Sequence, residues 1–491
     1  MTTLNHSKLN SLVVFLLGLI FFLYVAVSVM SGGVSQLTFY GGIIAGLTWV
    51  VLGQKAWWMP IPLAAIFGGL VWVGFRVYTH ELAVAMAFAA LIPALILDRR
   101  SYLQTQRPPV PKTAWLLFIY LLMHLGASWL MAGGSDFKGS IIRTYANALW
   151  PVIFFIYYLK YGSSKKIMTL LTIIYVLLIM RCSLGIYTYF FPQLVYFRGG
   201  SFLFVLSQYG SLDLRGPSLQ LMAIALSLAI RPQSASSRAF HVIVAGIAFW
   251  LLLLGSSRAG FVMAIVVPII ITLVQRRFLI GLTIVFFITV IIVALKSNPE
   301  LVNALPTQAQ RALSVVVFGK NSNIYATIEG SDEWHAYLSK TGWENWTESL
   351  NTLLIGNRVH PYDDYFLSNT ADMFSRADIA AKTTRYEKML WTVLATLGLT
   401  GAFFYVSIYF RLFKGPFRQL VQQPIRTKTD VVYLIALIQV SLALLFAPFV
   451  GTFPSFELVW GALALGLYYD QRAQADAQKT QPLKASKADV K

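Results

Sequence analysis

A polytopic, all-α membrane protein is the fold class this sequence predicts, and three observations carry it. Of 491 residues, 57% are hydrophobic and only 12% charged, with a mean hydropathy of +0.65, outside the range of ordinary soluble domains. Apolar runs of roughly 17–22 residues, the length that crosses a bilayer, recur along the chain and number about fourteen. The basic residues between these runs fall on alternate connections, as the positive-inside bias requires.

The expected spans are 11–30, 36–53, 57–75, 82–97, 113–131, 141–158, 167–187, 214–230, 239–255, 260–274, 278–295, 389–410, 431–449 and 455–469. Residues 1–10 hold one lysine and no small-residue cleavage pattern follows, so the first run reads as a retained helix rather than a signal peptide. With the N-terminus in the cytoplasm, Lys55, Arg99, Arg100, Lys160, Lys165, Lys166, Arg231, Arg238, Arg276, Arg277 and the group from Arg411 to Lys428 all lie inside. Both termini are then cytoplasmic. The net charge of +19 is spent on orientation, and no nucleic-acid partner is expected. Cys182 is the one cysteine, which excludes a disulfide framework and a cysteine-based metal site.

Four parts follow. Residues 1–295 carry eleven of the expected spans, with an aromatic segment near 187–214 (Tyr187, Phe190, Phe191, Tyr196, Phe197, Phe202) suited to the membrane surface. Residues 296–388 form a large outside loop, and Trp334, Trp343 and Trp346 predict that it is packed and mostly helical. Residues 389–470 hold the last three expected spans, and the Ala-, Gln- and Lys-rich residues 471–491 read as a disordered cytoplasmic tail.

The stretch that most asks for a function is Leu254-Gly255-Ser256-Ser257-Arg258-Ala259-Gly260-Phe261, a polar turn between two apolar runs. Arg258 has no Asp or Glu within about forty residues on either side, and a guanidinium at a bilayer edge is costly without a counter-charge. Either it snorkels to lipid phosphate or it meets an anionic ligand. Arg143, Arg181, Arg198 and Arg215 also stand near outer helix ends, against few acids: Glu81, Asp136 and Asp213. The positive-inside bias predicts few arginines there, so the surplus points to a polyanion such as a lipid-linked pyrophosphate. Pairing with loop carboxylates or headgroups is the plainer alternative. Arg215 opens the span Leu214-Arg215-Gly216-Pro217-Ser218, where a helix N-terminus adds its own anion site, although Asp213 can neutralise it.

Order and spacing then bring a resemblance. Ser257-Arg258-Ala259-Gly260-Phe261, Leu353-Leu354-Ile355-Gly356-Asn357, Glu387-Lys388-Met389-Leu390 and Leu397-Gly398-Leu399-Thr400-Gly401 together resemble the O-antigen ligase and Wzy-type O-antigen polymerase superfamily, over roughly 215–410. The resemblance implies a glycosyltransferase of the bacterial inner membrane that takes a glycan from undecaprenyl pyrophosphate and joins it to an acceptor hydroxyl on the periplasmic side. It implies that arginines, with no metal or cofactor, stabilise the leaving pyrophosphate. The implied partners are the lipid-linked donor, the glycan acceptor, membrane lipids and a chain-length regulator protein. Ligases of the family carry a His-Asn pair where this chain has Glu387-Lys388, and an arginine near Ser339-Lys340. That departure favours a polymerase over a ligase.

The implied chemistry needs a base for a sugar hydroxyl. Glu387, flanked by Arg385 and Lys388 at a span entry, is the first candidate, or else a solvated helix-end carboxylate. The segment from Arg358 to Tyr365 gathers His360, Asp363 and Asp364 and is the second; its plainer reading is a proline-directed turn. His335, beside Trp334, reads as a packed loop histidine, and Lys340 stands where the family arginine falls. No His/Asp/Glu spacing suggests zinc and there is no phosphate-binding loop. A transporter would spread ionisable residues along its spans; here they gather at outer helix ends and in one loop.

Overall fold

The computed structural model describes residues 57–66, 70–72, 76–97, 105–131, 135–190, 214–255, 257–317, 325–357, 386–423, 425–451 and 453–488. The chain is a polytopic membrane protein, helical throughout these residues apart from one two-stranded ribbon. Its helices are α1 (Thr79–Leu97), α2 (Lys112–Met131), α3 (Ser135–Tyr161), α4 (Ile167–Phe190), α5 (Arg215–Ile230), α6 (Ala235–Leu254), α7 (Arg258–Val274) and α8 (Phe278–Ser297). Then come α9 (Thr307–Val317), α10 (Tyr325–Thr347), α11 (Leu350–Ile355), α12 (Met389–Leu412), α13 (Lys428–Phe446) and α14 (Phe456–Ala488).

The expectation of about fourteen spans is corrected. Among the described residues, five helices are long and apolar enough to cross a membrane: α2, α4 over Ile167–Ile186, α6, α12 with its continuation to Gln422, and α13. The stretches in α1, α5, α7 and α8 are apolar but have fewer than eighteen residues. At about 1.5 Å per residue, the sixteen residues of α5 and the seventeen of α7 fall short of a hydrocarbon core of roughly 30 Å. The expected span 57–75 is instead a π-turn, Pro62–Ile66, followed by the antiparallel ribbon β1 (Leu70–Trp72) and β2 (Arg76–Tyr78). Spans 11–30 and 36–53 lie outside the described residues. The last helix runs on to Ala488, through the residues expected to lack structure.

Two helices form the centre. From Tyr145 to Leu159 nearly every described side chain of α3 is buried, and Val431 to Ile438 of α13 are buried on all sides, the mark of a helix enclosed by others. α14 closes on α3, with Trp150, Tyr158 and Trp460 among the largest fully buried side chains. The outer helices present apolar residues away from the bundle, as in Phe240, Ile243 and Trp250 of α6 and Leu279, Leu282 and Phe286 of α8. Contiguous apolar surface of this kind suits lipid.

α12 is broken at Gly398 (φ 63°, ψ −169°). Gly356 at the end of α11 (φ 81°) fits into the break: a Cβ on Gly356 would strike the Thr396 backbone, and one on Gly398 would strike Leu354. Asn357 N donates to Ala395 O at 2.6 Å. The Tyr120 hydroxyl of α2 lies 2.9 Å from Ile355 O and 2.8 Å from Leu397 O, and shares its one proton between carbonyls from the two sides of the joint. The loop helices are thereby fastened to the membrane helices.

Candidate functional site

The site is built on the turn between α6 and α7. Leu254 ends α6, Gly255 N donates back to Leu251 O (3.0 Å), and Ser257 caps α7 by accepting from Gly260 N at 3.0 Å. Arg258 is thus the first residue of α7, and a serine cap is what such a start prefers. Arg215, the first residue of α5, donates its Nε to Gly255 O at 2.9 Å, so it sits on the negative end of α6. Two of the expected arginines therefore meet at one turn.

A third arginine joins them. α9 buries Ala309, Ala312 and Leu313 against Leu253 and Phe261, which flank the turn. This packing holds Arg311 close enough that its guanidinium is pushed below its ordinary value, first by burial and then by the charges of Arg215 and Arg258. Repulsion of this sort is stored where cations are gathered ahead of an anion.

α10 faces the cluster. Asp332 accepts from Arg258 Nη2; Arg258 is 22% and Asp332 58% exposed. Next to Asp332, Trp334 Nε1 donates to Glu387 Oε2 at 3.3 Å, and His335 Nδ1 lies 3.8 Å from the same oxygen. Burial pushes His335 below its ordinary value, opposed by Glu387 and assisted by Lys388 and Arg258. The ring is neutral at pH 7 as a result. Glu387 has a φ of 53°, a left-handed conformation that non-glycine residues adopt mostly under constraint. Its neighbours supply that constraint. Lys388 Nζ donates to His335 O (3.0 Å) and to Ser339 Oγ. Tyr386 is buried against Trp346, Trp391 and Ala395 and accepts from Asn345 Nδ2 at 2.8 Å. Trp343 stands edge-on to both Trp346 and Trp391.

The other expected site residues divide. Lys340 is exposed and pairs with Glu344 at 3.8 Å along its own helix, not with the cluster, because it sits on a different face of α10 from His335. Arg181 is buried on α4 beside Cys182. It lies about one helical turn from Gly185, which packs on Leu214 at the start of α5. Arg143 falls within α3, and its side chain lies outside the described residues, as do Arg198, His360, Asp363 and Arg385.

No family model matches the chain, and no curated protein matches it. What the site can do follows from its geometry. Three guanidiniums drawn from α5, α7 and α9 offer several N–H forks to one polyanion. Beside them a carboxylate, an indole N–H and a neutral imidazole can receive a proton and orient a hydroxyl. The sequence reading missed Arg311, and it took His335 for a packing residue. A lone arginine in the amphipathic stretch Thr307–Val317 was the available signal for the first. For the second there was none, since His335 and Glu387 meet only through the fold.

Proposed function

We propose that the chain is a membrane glycosyltransferase of the Wzy polymerase type, working on undecaprenyl-pyrophosphate-linked glycans. The observation that carries this reading is the approach of Arg215, Arg258 and Arg311 to one another beside Glu387 and His335. In the proposed reaction the arginines take the pyrophosphate of the donor. Glu387 takes the proton of the acceptor hydroxyl as its oxygen bonds to the anomeric carbon. The glycosidic C–O bond to pyrophosphate breaks, and the electron pair leaves on the phosphate oxygen that the guanidiniums face. Cations placed in advance for a departing anion lower the barrier electrostatically. Contact between the Leu353–Asn357 and Leu397–Gly401 stretches, both of which carry the family resemblance, supports the same reading.

In this proposal the chain resides in a bacterial inner membrane with both termini cytoplasmic, the arginine cluster is periplasmic, and a chain-length regulator is among its partners. A ligase is the second reading, favoured by one observation. His335 brings an imidazole to within 3.8 Å of Glu387, near the place where ligases of the family carry their histidine.

The test is the glycan profile of cells carrying Arg258→Ala at unchanged expression. Loss of long chains with single repeats still attached is the expected result, at a rate reduced by roughly 10²-fold or more. Loss of all attached glycan while long lipid-linked chains accumulate would assign ligation. An unchanged profile would sink both.

A further inference from the structure

At the far ends of α5, α6 and α7, away from the Arg215–Arg258 turn, the three helices enclose a groove of ≈ 350 Å³. Its walls are apolar, with Leu226, Val242 and Ile271 among them, and its mouth carries Arg238, Gln275 and Arg277. Between Arg215 and Ser297 the chain has no Asp or Glu. Neither Arg238 nor Arg277 forms an ion pair among the described residues, and Gln275 Nε2 is buried without a hydrogen-bond partner. Val242 of its wall is itself exposed, so hydrocarbon reaches the groove from the membrane.

We infer that this groove holds an acyl chain of an anionic phospholipid, with its phosphate held by Arg238 and Arg277. The volume is that of a small-molecule site, and its apolar wall excludes a free phosphate ion as the natural occupant, because the ion would leave that wall unfilled. Basic pockets between helix ends at a membrane surface select anionic headgroups, and arginine does so through paired N–H donors. Gln275 supplies a further donor to the ester or phosphate oxygens. This site is independent of the function proposed above and uses none of its residues.

The experiment is native mass spectrometry of the purified full chain, with phosphatidylglycerol or phosphatidylcholine of the same acyl composition. Phosphatidylglycerol is expected to be retained at about tenfold lower concentration. The double variant Arg238→Gln/Arg277→Gln should lose that preference while keeping its melting temperature. Val242→Trp, at the groove's exposed edge, should expel the lipid with the arginines intact. Equal retention of the two lipids by the native chain would overturn the inference. So would a preference that survives the glutamine pair, lipid that remains bound in Val242→Trp, or displacement by inorganic phosphate alone.

Discussion

Arg107, ahead of α2, and Arg258, at the start of α7, each face one aspartate, and the contrast between them separates structure from chemistry. Arg107 is 7% exposed. Its Nε and Nη2 reach both oxygens of Asp470, the latter at 2.7 Å, and its Nη1 donates to Tyr158 O and Leu159 O at 3.4 and 3.3 Å. Every part of that guanidinium is occupied by groups that do not leave. Arg258 meets a carboxylate that is more than half exposed, and two further arginines crowd the same region. Under the proposed function a ligand anion displaces the exposed Asp332, whereas Asp470 is buried and held on both its oxygens. Burial and fork occupancy, rather than the presence of a partner, distinguish a clamp from a receptor.

The contrast breaks most readily at Arg107. Arg107→Ala leaves Asp470 buried without its partner, which costs about 3–5 kcal/mol, and a steep drop in melting temperature in detergent is expected. Arg258→Ala removes a partly exposed pair and should change stability by about 1 kcal/mol or less. If the two variants melted alike, the distinction would be wrong. Under the proposed function, Arg311→Ala should slow chain elongation by roughly tenfold to 10²-fold, with Arg311→Lys recovering only part because lysine offers no fork. Full activity in Arg311→Ala would remove the third arginine from the site.

The smallest effect concerns His335. Its folded value lies below the ordinary 6.5, so between those two values the unfolded chain binds more protons. Stability therefore rises with pH through that window, is unaffected by this group above 6.5, and carries the full penalty below the folded value. Activity should hold as pH falls past 6.5 and decline only when the ring charges and engages Glu387. His335→Gln is expected to abolish that acid limb in a pH–rate profile; an unaltered limb would assign it to another group.

The helical class and membrane character were legible because apolar runs and alternating charge report them directly. Arg215 was legible as a helix-start residue because Pro217 and Ser218 suit a first helical turn, and Arg258 as part of a polar turn between two apolar runs. The number of spans was not. An apolar run of sixteen or seventeen residues, as in α5 and α7, has the same composition whether it crosses a bilayer or packs within a bundle. The ribbon of 70–72 and 76–78 hid because Val71, Trp72 and Val77 suit strand and span equally well. Lys340 stands apart from His335, five residues away on the same helix, because distance along a helix does not fix the face on which a residue stands. Arg311 fell outside a survey of arginines that stopped where the loop began.

The interlock of Gly356 with Gly398 carries a consequence for heredity. Each backbone fills the space where the other's side chain would be, so the two positions share one genetic fate across more than forty residues of chain. A Gly398→Ala lesion should behave as an allele of the loop as much as of the membrane helix. Its revertants should map to the stretch from Leu354 to Asn357 rather than to the arginines. Selection acting on the loop is thereby yoked to a membrane helix.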